Sequence, residues 1–304
     1  MKKYDALIIG CGPAGIGAAL ILKEAGINFA IIEKSTPGGK VNIAPRVDNY
    51  PRQHEIPGPD LAMIFYQRIL DNNIELIGDE VTSLTKDGDV FTLVCNRETY
   101  EAKAVLLATG TKERKLGFEN EDRLLGHGLS YCALCDGHFF KGKDVAVIGG
   151  GNVALKEAIH LSTLVNKLYL IHRRNEFRGD KKLVDKIKTL DNIEIVTPYV
   201  PLEILDDGKV NGLVIQNRED NSQKTLQIGG VFPLIGQDPN SGFIHIDGVK
   251  NEYGTVPYEK GMATSVSGLF VAGDLTPRDI RQIYLAEHDG VVAGKSIVAY
   301  IKGE

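Results

Sequence analysis

The sequence predicts an α/β fold that contains two copies of one β–turn–α–β unit. A glycine-rich turn, GCGPAG, occupies residues 10–15, and a second one, GGGNVA, occupies residues 149–154. Each turn follows a short apolar segment of the strand type and precedes a segment of the helix type. A Cys-x-x-Cys pair, Cys132 and Cys135, lies between the two turns. A chain of 304 residues has room for two domains, so each turn is expected to belong to its own domain.

The first unit covers residues 4–33. Residues 4–9 (YDALII) predict a buried strand, residues 16–25 a helix that ends at Gly26, and residues 28–33 (NFAIIE) a second strand. In such a unit the glycines allow a tight turn, close approach of a pyrophosphate and tight packing of helix on strand. The free N–H groups at the helix start favour phosphate. The positions expected to bind a dinucleotide here are Gly10, Gly12, Pro13, Ala14 and Gly15.

The second unit repeats the first, and corresponding positions in the two units differ by a constant shift in residue number. Residues 144–148 and 167–172 predict its strands, and residues 152–161 predict its helix. A single Gly-x-Gly-x-x-Gly motif is weak support for nucleotide binding, but two copies between a strand and a helix are much stronger. The alternative is a pair of tight turns that hold no ligand. The positions expected to bind the second dinucleotide are Gly149, Gly151, Asn152, Val153 and Ala154.

The residue that ends the second strand distinguishes the two sites. Glu33 can accept hydrogen bonds from ribose hydroxyls and would repel a 2′-phosphate, so the first site is predicted to bind an adenine nucleotide with a free ribose, as in FAD. The matching segment 172–178 (HRRNEFR) carries three guanidinium groups, which suit a phosphate dianion and predict NADP(H) rather than NAD(H). The alternative is a solvated basic face, or ion pairs with Glu176 and Asp180. The residues expected in this pocket are His172, Arg173, Arg174 and Arg178.

The two thiols are the candidate reactive groups. Their spacing allows a disulfide within one helical turn, and a helix start lowers the pKa of the first thiol. Asp136 follows directly and can deliver a proton to a leaving thiolate. Zinc would need four ligands, and beyond His138 as a third ligand no fourth is evident. The sequence therefore predicts a redox dithiol without a metal, with Cys132, Cys135 and Asp136 as the catalytic residues.

Composition and charge exclude several classes of protein. The net charge is −5 and the pI is near 5.9, which disfavours nucleic acid as a partner. No apolar run reaches the roughly 18 residues of a membrane span, and the apolar N-terminal segment belongs to a fold motif rather than to a signal peptide. We therefore expect a cytoplasmic protein, in whose reducing environment Cys-x-x-Cys is redox-active or metal-binding. Cys11 and Cys95 are expected to be buried and structural.

Together these motifs resemble those of the low-molecular-weight thioredoxin reductases of bacteria. The resemblance covers nearly the whole chain. It implies two Rossmann-like dinucleotide-binding domains, the second inserted into the first. Residues 1–113 and 242–304 are implied to bind FAD, and residues 114–241 to bind NADPH and carry the dithiol. The markers, in chain order, are GCGPAG (10–15), ATG (108–110), CALCDG (132–137), GGGNVA (149–154), HRRNEFR (172–178) and LFVAGD (269–274), followed by Arg281 and Gln282.

The resemblance also implies residues around the flavin that the repeat does not reveal. Gly273 and Asp274 are similar to a motif that binds the ribityl and phosphate region. A helix that begins near Arg281 and Gln282 would direct its N-terminus at the pyrimidine end of the flavin, where the dipole favours negative charge. Asn49 resembles a position near the isoalloxazine. The remaining residues proposed for this site are Glu33, Lys34, Gly39 and Gly110.

The implied reaction carries electrons from NADPH through FAD to a Cys132–Cys135 disulfide, and then to a disulfide of thioredoxin or a thioredoxin-like small protein. By resemblance, Cys135 faces the flavin, Cys132 attacks the substrate, and Asp136 is the acid. The resemblance further implies a homodimer and a rotation of the two domains about short hinges between the half-reactions.

The chain departs from the family pattern around the expected flavin site. Lys40 follows Gly39 where glutamine is common, and it is either a cation near the flavin or a solvated side chain. Residues 52–55 (RQHE) form an insertion, and residues 286–290 (AEHDG) are bulky where small residues are usual. These departures keep open a reductase of the same fold that takes electrons from ferredoxin, although the second glycine turn and the arginine cluster argue against it. A non-catalytic, nucleotide-dependent redox sensor is a further alternative.

Overall fold

The computed structural model describes residues 1–44, 46–51, 53 and 55–304. The chain divides into two compact units, one formed by Met1–Lys112 with Asp238–Glu304 and the other by Glu113–Gln237. In the described part of the chain, no helix combines the length and the apolar character that crossing a bilayer requires.

Helices and strands alternate in the first part of each unit, and runs of consecutive strands follow. The elements that lead up to the second unit are β1 (Lys2–Ile9), α1 (Pro13–Glu24), β2 (Phe29–Glu33), α2 (Gly58–Asp71), β3 (Leu76–Gly78), β4 (Val81–Asp87), β5 (Val90–Cys95), β6 (Thr99–Leu107) and β7 (Thr111–Glu113). Those that follow are α3 (Glu121–Leu124), α4 (Ala133–Asp136), β8 (Asp144–Ile148), α5 (Asn152–Ser162), β9 (Lys167–Ile171), α6 (Lys181–Ile187), β10 (Ile193–Val196), β11 (Tyr199–Asp206), β12 (Val210–Asn217), β13 (Gln223–Gln227), β14 (Gly230–Pro233) and β15 (Gln237–Pro239). The chain then returns to the first unit with β16 (Leu269–Val271) and α7 (Ile283–Lys302).

The sheet of the first unit has a parallel core. β1 pairs in parallel with β2 and β6, β2 pairs with β3, and β16 pairs with β6, while β5 and β4 extend the sheet by antiparallel pairing. A parallel sheet is covered on both faces, and its strands are therefore apolar throughout. Residues 6–9 of β1 are accordingly all buried. The carboxyl ends of β1, β2 and β6 share one edge, which is where ligands bind in such sheets.

Helices α1 and α7 pack in close contact because glycines replace side chains at their crossing. A Cβ atom built on Gly290 would lie 1.9 Å from the carbonyl oxygen of Ala14. One built on Gly17 would lie 2.5 Å from the carbonyl oxygen of Glu287. These distances leave no room for a methyl group, so the two backbones touch directly.

Replacing Gly290 with alanine is expected to lower the thermal unfolding midpoint, because the new methyl group would overlap backbone atoms that cannot move aside. Overpacking of this kind costs about 3 kcal/mol, which exceeds the roughly 1 kcal/mol that alanine gains over glycine inside a helix. Gly78→Ala is the matched control, since a Cβ atom there would meet no described atom within 4 Å. Equal midpoints for the two variants would contradict the close helix contact.

The second unit repeats the β–turn–α–β arrangement. Its four-stranded sheet, in the order β10-β9-β8-β14, is parallel throughout. A separate antiparallel sheet contains β11, β12 and β13. The strand expected at residues 144–148 is β8 itself, and the expected helix continues one residue further, to Ser162. The second expected strand ends at Ile171, so His172 lies just beyond it.

Two short strands that pair with each other, β7 and β15, contain the points at which the chain passes from one unit to the other. The division after Lys112 lies within β7, and the division after Gln237 lies within β15. The boundaries expected from the sequence, after residues 113 and 241, lie close to these divisions. The second division comes earlier because Asn240 already belongs to the first unit. Its N–H donates to the carbonyl of Gly110 (3.0 Å), and its carbonyl accepts from the Thr109 hydroxyl (2.7 Å).

Candidate functional site

The first glycine turn joins β1 to α1 at the carboxyl edge of the sheet. Gly10 has a φ of +105°, and a Cβ atom there would lie 2.5 Å from the Ala108 carbonyl, so the position requires glycine. Gly12 precedes α1 with no described side chain capping the helix, and Pro13 stands at the first helical position. A Cβ atom on Gly12 would meet no described atom within 4 Å, and one on Gly39 would lie 3.5 Å from the Gly12 Cα. Open space beside uncapped N–H groups fits a pyrophosphate.

Glu33 is held beside this turn by hydrogen bonds. One carboxylate oxygen accepts from the Cys11 N–H (2.7 Å), and the other accepts from the N–H (2.9 Å) and hydroxyl (3.1 Å) of Ser35. A carboxylate has about four acceptor positions, so one remains for a ribose hydroxyl. The ammonium group of Lys34, which follows Glu33, donates to the Glu80 carboxylate at 3.1 Å.

The residues predicted around the flavin ribityl chain lie together. A Cβ atom on Gly110 would be 4.0 Å from the Asp274 Cβ, and one on Gly273 would be 3.1 Å from the Ala14 Cβ. The Lys40 ammonium donates to the Thr111 hydroxyl at 2.8 Å and lies 3.8 Å from an Asp274 carboxylate oxygen. Of the two sequence interpretations of Lys40, the contacts favour a cation held at the predicted flavin site.

Two further predicted residues, Asn49 and Gln282, meet although they are far apart in the sequence. The Asn49 amide donates to the Gln282 side-chain oxygen at 2.6 Å. Gln282 also precedes α7, so this contact lies at the helix start that the resemblance assigned to the flavin. The Nε of Arg281 is buried and has no hydrogen-bond partner among the described residues. A buried donor without an acceptor is costly, and the carbonyl groups of a flavin would satisfy it. These residues therefore fit FAD.

Asp289 contacts the predicted flavin site, and no sequence motif revealed it. It is buried on α7, accepts a hydrogen bond from the Gly273 N–H (3.0 Å) and forms an ion pair with Arg278. Burial raises the pKa of Asp289, while the positive charge of Arg278 acts in the opposite direction. Asp289 thus fixes the turn that carries Asp274. The bulky segment 286–290 marked this position in the sequence but did not indicate its partners.

Glu287, in the same segment, anchors the loop that contains Asn49. Its carboxylate accepts from the Tyr50 hydroxyl (2.6 Å) and from the Arg68 guanidinium (2.7 Å). These contacts join the loop and α2 to α7. Within the insertion that the sequence predicted at residues 52–55, Arg52 and His54 lie outside the described residues.

The second glycine turn also joins a strand to a helix, β8 to α5. A Cβ atom on Gly149 would lie 2.4 Å from the Leu234 carbonyl and 2.7 Å from the Ala154 Cβ, so strand and helix are in close contact. Gly151 precedes α5 without a described side-chain cap, and a Cβ atom there would meet no described atom within 4 Å. Val153 is exposed, and Asn152 accepts a hydrogen bond from the Asp180 N–H (2.7 Å). The turn therefore offers a second uncapped helix start to an anion.

His172 lies under this turn. A Cβ atom on Gly150 would lie within 2.3–2.7 Å of three imidazole atoms, so the ring packs flat on the glycine. The ring also stacks on Phe177 with centroids 5.3 Å apart. Its Nε2 is buried and has no partner in the described part of the chain, which leaves a polar atom for a ligand. Burial, and then the positive charges of the neighbouring arginines, lower the pKa of His172.

The three arginines of this segment are exposed. Arg178 is fixed at the turn by its backbone, because its N–H donates to a carbonyl of the second glycine turn at 2.9 Å. Across residues 1–44, 46–51, 53 and 55–304, no ion pair joins Arg173, Arg174 or Arg178 to Glu176 or Asp180. The alternative in which those carboxylates neutralise the cluster is therefore not supported. The guanidinium groups remain available to a phosphate.

The dithiol lies at the start of α4. Cys132 precedes the helix, and its sulfur accepts a hydrogen bond from the Cys135 N–H at 3.2 Å. The two residues form a disulfide with a Cα–Cα distance of 5.3 Å, which is within the usual range. The sulfurs are bonded to each other, and no group of three or more metal-binding side chains occurs among the residues described.

Asp136 is buried directly beside the dithiol. Its carboxylate accepts a hydrogen bond from the Ser130 hydroxyl at 2.5 Å. The same hydroxyl oxygen accepts from the Cys132 N–H at 3.1 Å. Ser130 therefore links the carboxylate to the backbone of the first cysteine, a role that no sequence motif indicated.

The chain is similar to known proteins over nearly its whole length. The family described as pyridine nucleotide-disulphide oxidoreductase matches residues 4–290. The thioredoxin reductase of Mycoplasma pneumoniae is 41% identical over 292 residues, which are 95% of this chain and 93% of that protein. The solved thioredoxin reductase of Streptococcus pyogenes MGAS5005 has a TM-score of 0.93 at 37% identity, covering 99% of both chains. A ferredoxin-flavin thioredoxin reductase of Clostridium acetobutylicum has a TM-score of 0.56 at 30% identity, covering 100% of both.

This fold and this site define a nucleotide-dependent disulfide oxidoreductase. The chain belongs to the pyridine nucleotide-disulphide oxidoreductase family. The resemblance to low-molecular-weight bacterial thioredoxin reductases is confirmed, as is the α/β fold with two dinucleotide-binding domains. Thioredoxin reductases of this family use FAD and NADPH, the two cofactors that the sequence predicted.

Proposed function

We propose that this protein is an NADPH-dependent thioredoxin-disulfide reductase. It passes electrons from NADPH through FAD and the Cys132–Cys135 disulfide to a disulfide of thioredoxin or a thioredoxin-like small protein. One observation carries the proposal. A disulfide closed at a helix start belongs to the same unit as a second glycine-rich turn, beside which three arginines have no carboxylate partner among the residues that the structure describes.

The first unit would hold FAD with residues from four segments. The uncapped start of α1 would receive the pyrophosphate, and Glu33 would accept a ribose hydroxyl. Asp274 would bind the ribityl region, on a turn that Asp289 holds in place. The buried Nε of Arg281 would donate to a flavin carbonyl. When bound, FAD supplies a carrier that accepts an electron pair from the nicotinamide and donates it to the disulfide.

The dithiol would complete the reaction in two exchange steps. Two electrons and two protons convert the Cys132–Cys135 disulfide into two thiols. The Cys132 thiolate then attacks one sulfur of the substrate disulfide, so that a mixed disulfide forms and the other substrate sulfur leaves. Asp136 would protonate that leaving thiolate. Cys135 next attacks the Cys132 sulfur, which restores the disulfide of the enzyme and releases the second substrate thiol.

The similarity to a ferredoxin-flavin thioredoxin reductase supports a second candidate, in which ferredoxin is the donor. The second glycine turn and the arginine cluster favour NADPH over this candidate. Their geometry suits a nucleotide phosphate, which a ferredoxin donor does not carry.

Anaerobic mixing with two equivalents of NADPH, one for the Cys132–Cys135 disulfide and one for the flavin, is expected to bleach the visible flavin band of the FAD-loaded protein. Addition of oxidised thioredoxin should then restore the band and produce thioredoxin thiols. The measurement is stopped-flow absorbance combined with a thiol assay. A flavin that stays oxidised with NADPH but bleaches with reduced ferredoxin would establish the second candidate. Bleaching without any thioredoxin reduction would point to the redox sensor.

The proposal includes a homodimer that acts in the cytoplasm. The buried thiols of Cys11 and Cys95 are not disulfide-bonded, as is usual for proteins of a reducing compartment. The dimer is expected from family resemblance, and light scattering of the FAD-loaded protein would measure it.

A further inference from the structure

Glu157 is a buried carboxyl group behind the dithiol that the mechanism above does not use. It lies on α5 and is only 8% exposed. One of its carboxylate oxygens accepts a hydrogen bond from the N–H of Ala133 at 2.5 Å. Ala133 directly follows Cys132 and is the first residue of α4. The carboxyl group is therefore fixed to the backbone of the segment that carries the reactive thiol.

Two N–H groups of α4 bind different acceptors. The N–H of Ala133 binds Glu157, and the N–H of Cys135 binds the sulfur of Cys132. Both acceptors become anions when they lose a proton. Two anions at neighbouring N–H groups repel each other, so ionisation of the carboxyl group opposes ionisation of the thiol.

We propose that Glu157 is a positioning residue of the dithiol, whose charge limits the thiolate population of Cys132. The inference rests on the proposed function, because the thiolate of Cys132 is the group that attacks the substrate disulfide. In this proposal Glu157 influences the Cys132 thiolate from a buried position and does not contact the substrate.

The surroundings of Glu157 make its charge variable near neutral pH. Burial is the largest cause of a shift that raises its pKa to about 7, and the N–H of Ala133 acts in the opposite direction. Asp136 on α4 and Glu113 on β7 are both carboxylates, and each raises the pKa further. Glu157 is thus neutral at acidic pH and becomes negative as the pH rises through about 7.

Within α5, the titratable neighbours of Glu157 in sequence are Lys156, which is exposed, and His160, which lies about one turn further on. Because both groups accept from N–H groups of the same short segment, we expect their ionisations to be coupled, and coupled groups titrate in broadened steps rather than in one sharp step. As Glu157 ionises, it makes the ionisation of Cys132 less favourable. The thiolate population is therefore expected to rise less steeply with pH than that of an isolated thiol.

The test measures the alkylation rate of Cys132 as a function of pH. FAD-loaded protein is reduced with dithiothreitol, desalted without air and treated with iodoacetamide, and the labelled peptide is quantified by mass spectrometry. Glu157→Gln keeps an acceptor for the Ala133 N–H but removes the charge. We expect the thiol midpoint of this variant to fall by about one pH unit, equal to about a tenfold change in the ionisation constant. Its profile should also sharpen to a single step.

Glu157→Asp is the matched control, because it keeps a titratable carboxyl group but shortens the side chain by one methylene. Its alkylation profile should remain broad. A Glu157→Gln profile that superimposes on the wild-type profile would overturn the proposal. So would a sharpened profile in Glu157→Asp equal to that of Glu157→Gln, since the contact rather than the charge would then be responsible.

A second measurement uses the wild-type protein, so its result does not depend on whether a variant folds. The side-chain carboxyl carbon of Glu157, labelled with ¹³C, should titrate with a midpoint near 7 in the oxidised wild-type protein. A midpoint near the ordinary value of glutamate would overturn the proposal. Neither readout uses NADPH or thioredoxin. A protein that fails to turn over these substrates would refute the proposed function and leave the effect of Glu157 on the thiol measurable.

Discussion

Replacing Cys135 with serine is expected to lower thioredoxin-coupled NADPH oxidation by roughly 10³-fold or more. Without this sulfur the Cys132–Cys135 disulfide cannot form, so electrons that reach the flavin have no acceptor in the protein. Cys132 alone can attack a substrate disulfide only once, because no second thiol resolves the mixed disulfide. The measurement is the steady-state rate of NADPH oxidation with oxidised thioredoxin in excess.

The same variant should leave the reduction of the flavin by NADPH intact, since Cys135 lies outside both glycine turns. Cys95→Ala is the matched control, because it removes a buried thiol that takes no part in the disulfide. That control is expected to keep wild-type turnover if it folds with FAD bound. Full thioredoxin-coupled activity in Cys135→Ser would disprove the dithiol mechanism.

Changing Arg173 and Arg174 together to glutamine is expected to raise the KM for NADPH about 100-fold. Each guanidinium would donate charge-assisted hydrogen bonds to the 2′-phosphate, and such bonds contribute about 1.5–3 kcal/mol each. The KM for NADH should change little, since NADH lacks that phosphate. Because neither arginine is paired with Glu176 or Asp180 in the described structure, little stability should be lost.

The measurement is the ratio of the KM for NADPH to the KM for NADH in the double variant and in the wild type. Arg123→Gln is a suitable control, because its guanidinium is already engaged with Asp206 in the same unit. It removes a positive charge without removing a group that can bind the phosphate. An unchanged ratio in the double variant would show that these arginines do not recognise the 2′-phosphate.

The elements around both glycine turns were predictable because their signals are local. The strand at residues 144–148 was predicted with its observed bounds, and α5 extends only one residue beyond its predicted end. α1 begins at Pro13, three residues before its predicted start, because proline is well suited to the first helical position. The spacing of the two cysteines was compatible with a helical turn, and the structure places Cys132 directly before α4.

The carboxylates that support the site were not predictable in the same way. Asp289 holds the N–H of Gly273 across 16 residues, and Glu157 holds that of Ala133 across 24. Glu287 reaches Tyr50 across 237 residues. A motif describes the order of residue types along a short segment. It does not indicate to which distant N–H group a carboxylate will form a hydrogen bond.

The sequence by itself determined the two glycine-rich turns and the dithiol, and it predicted the preference for a 2′-phosphate, because each depends on residues within a few positions of one another. The tertiary structure alone decided which acidic groups are buried and what they bind. Burial and long-range pairing set the charge of groups such as Glu157, and both arise only when separate segments of the chain pack together.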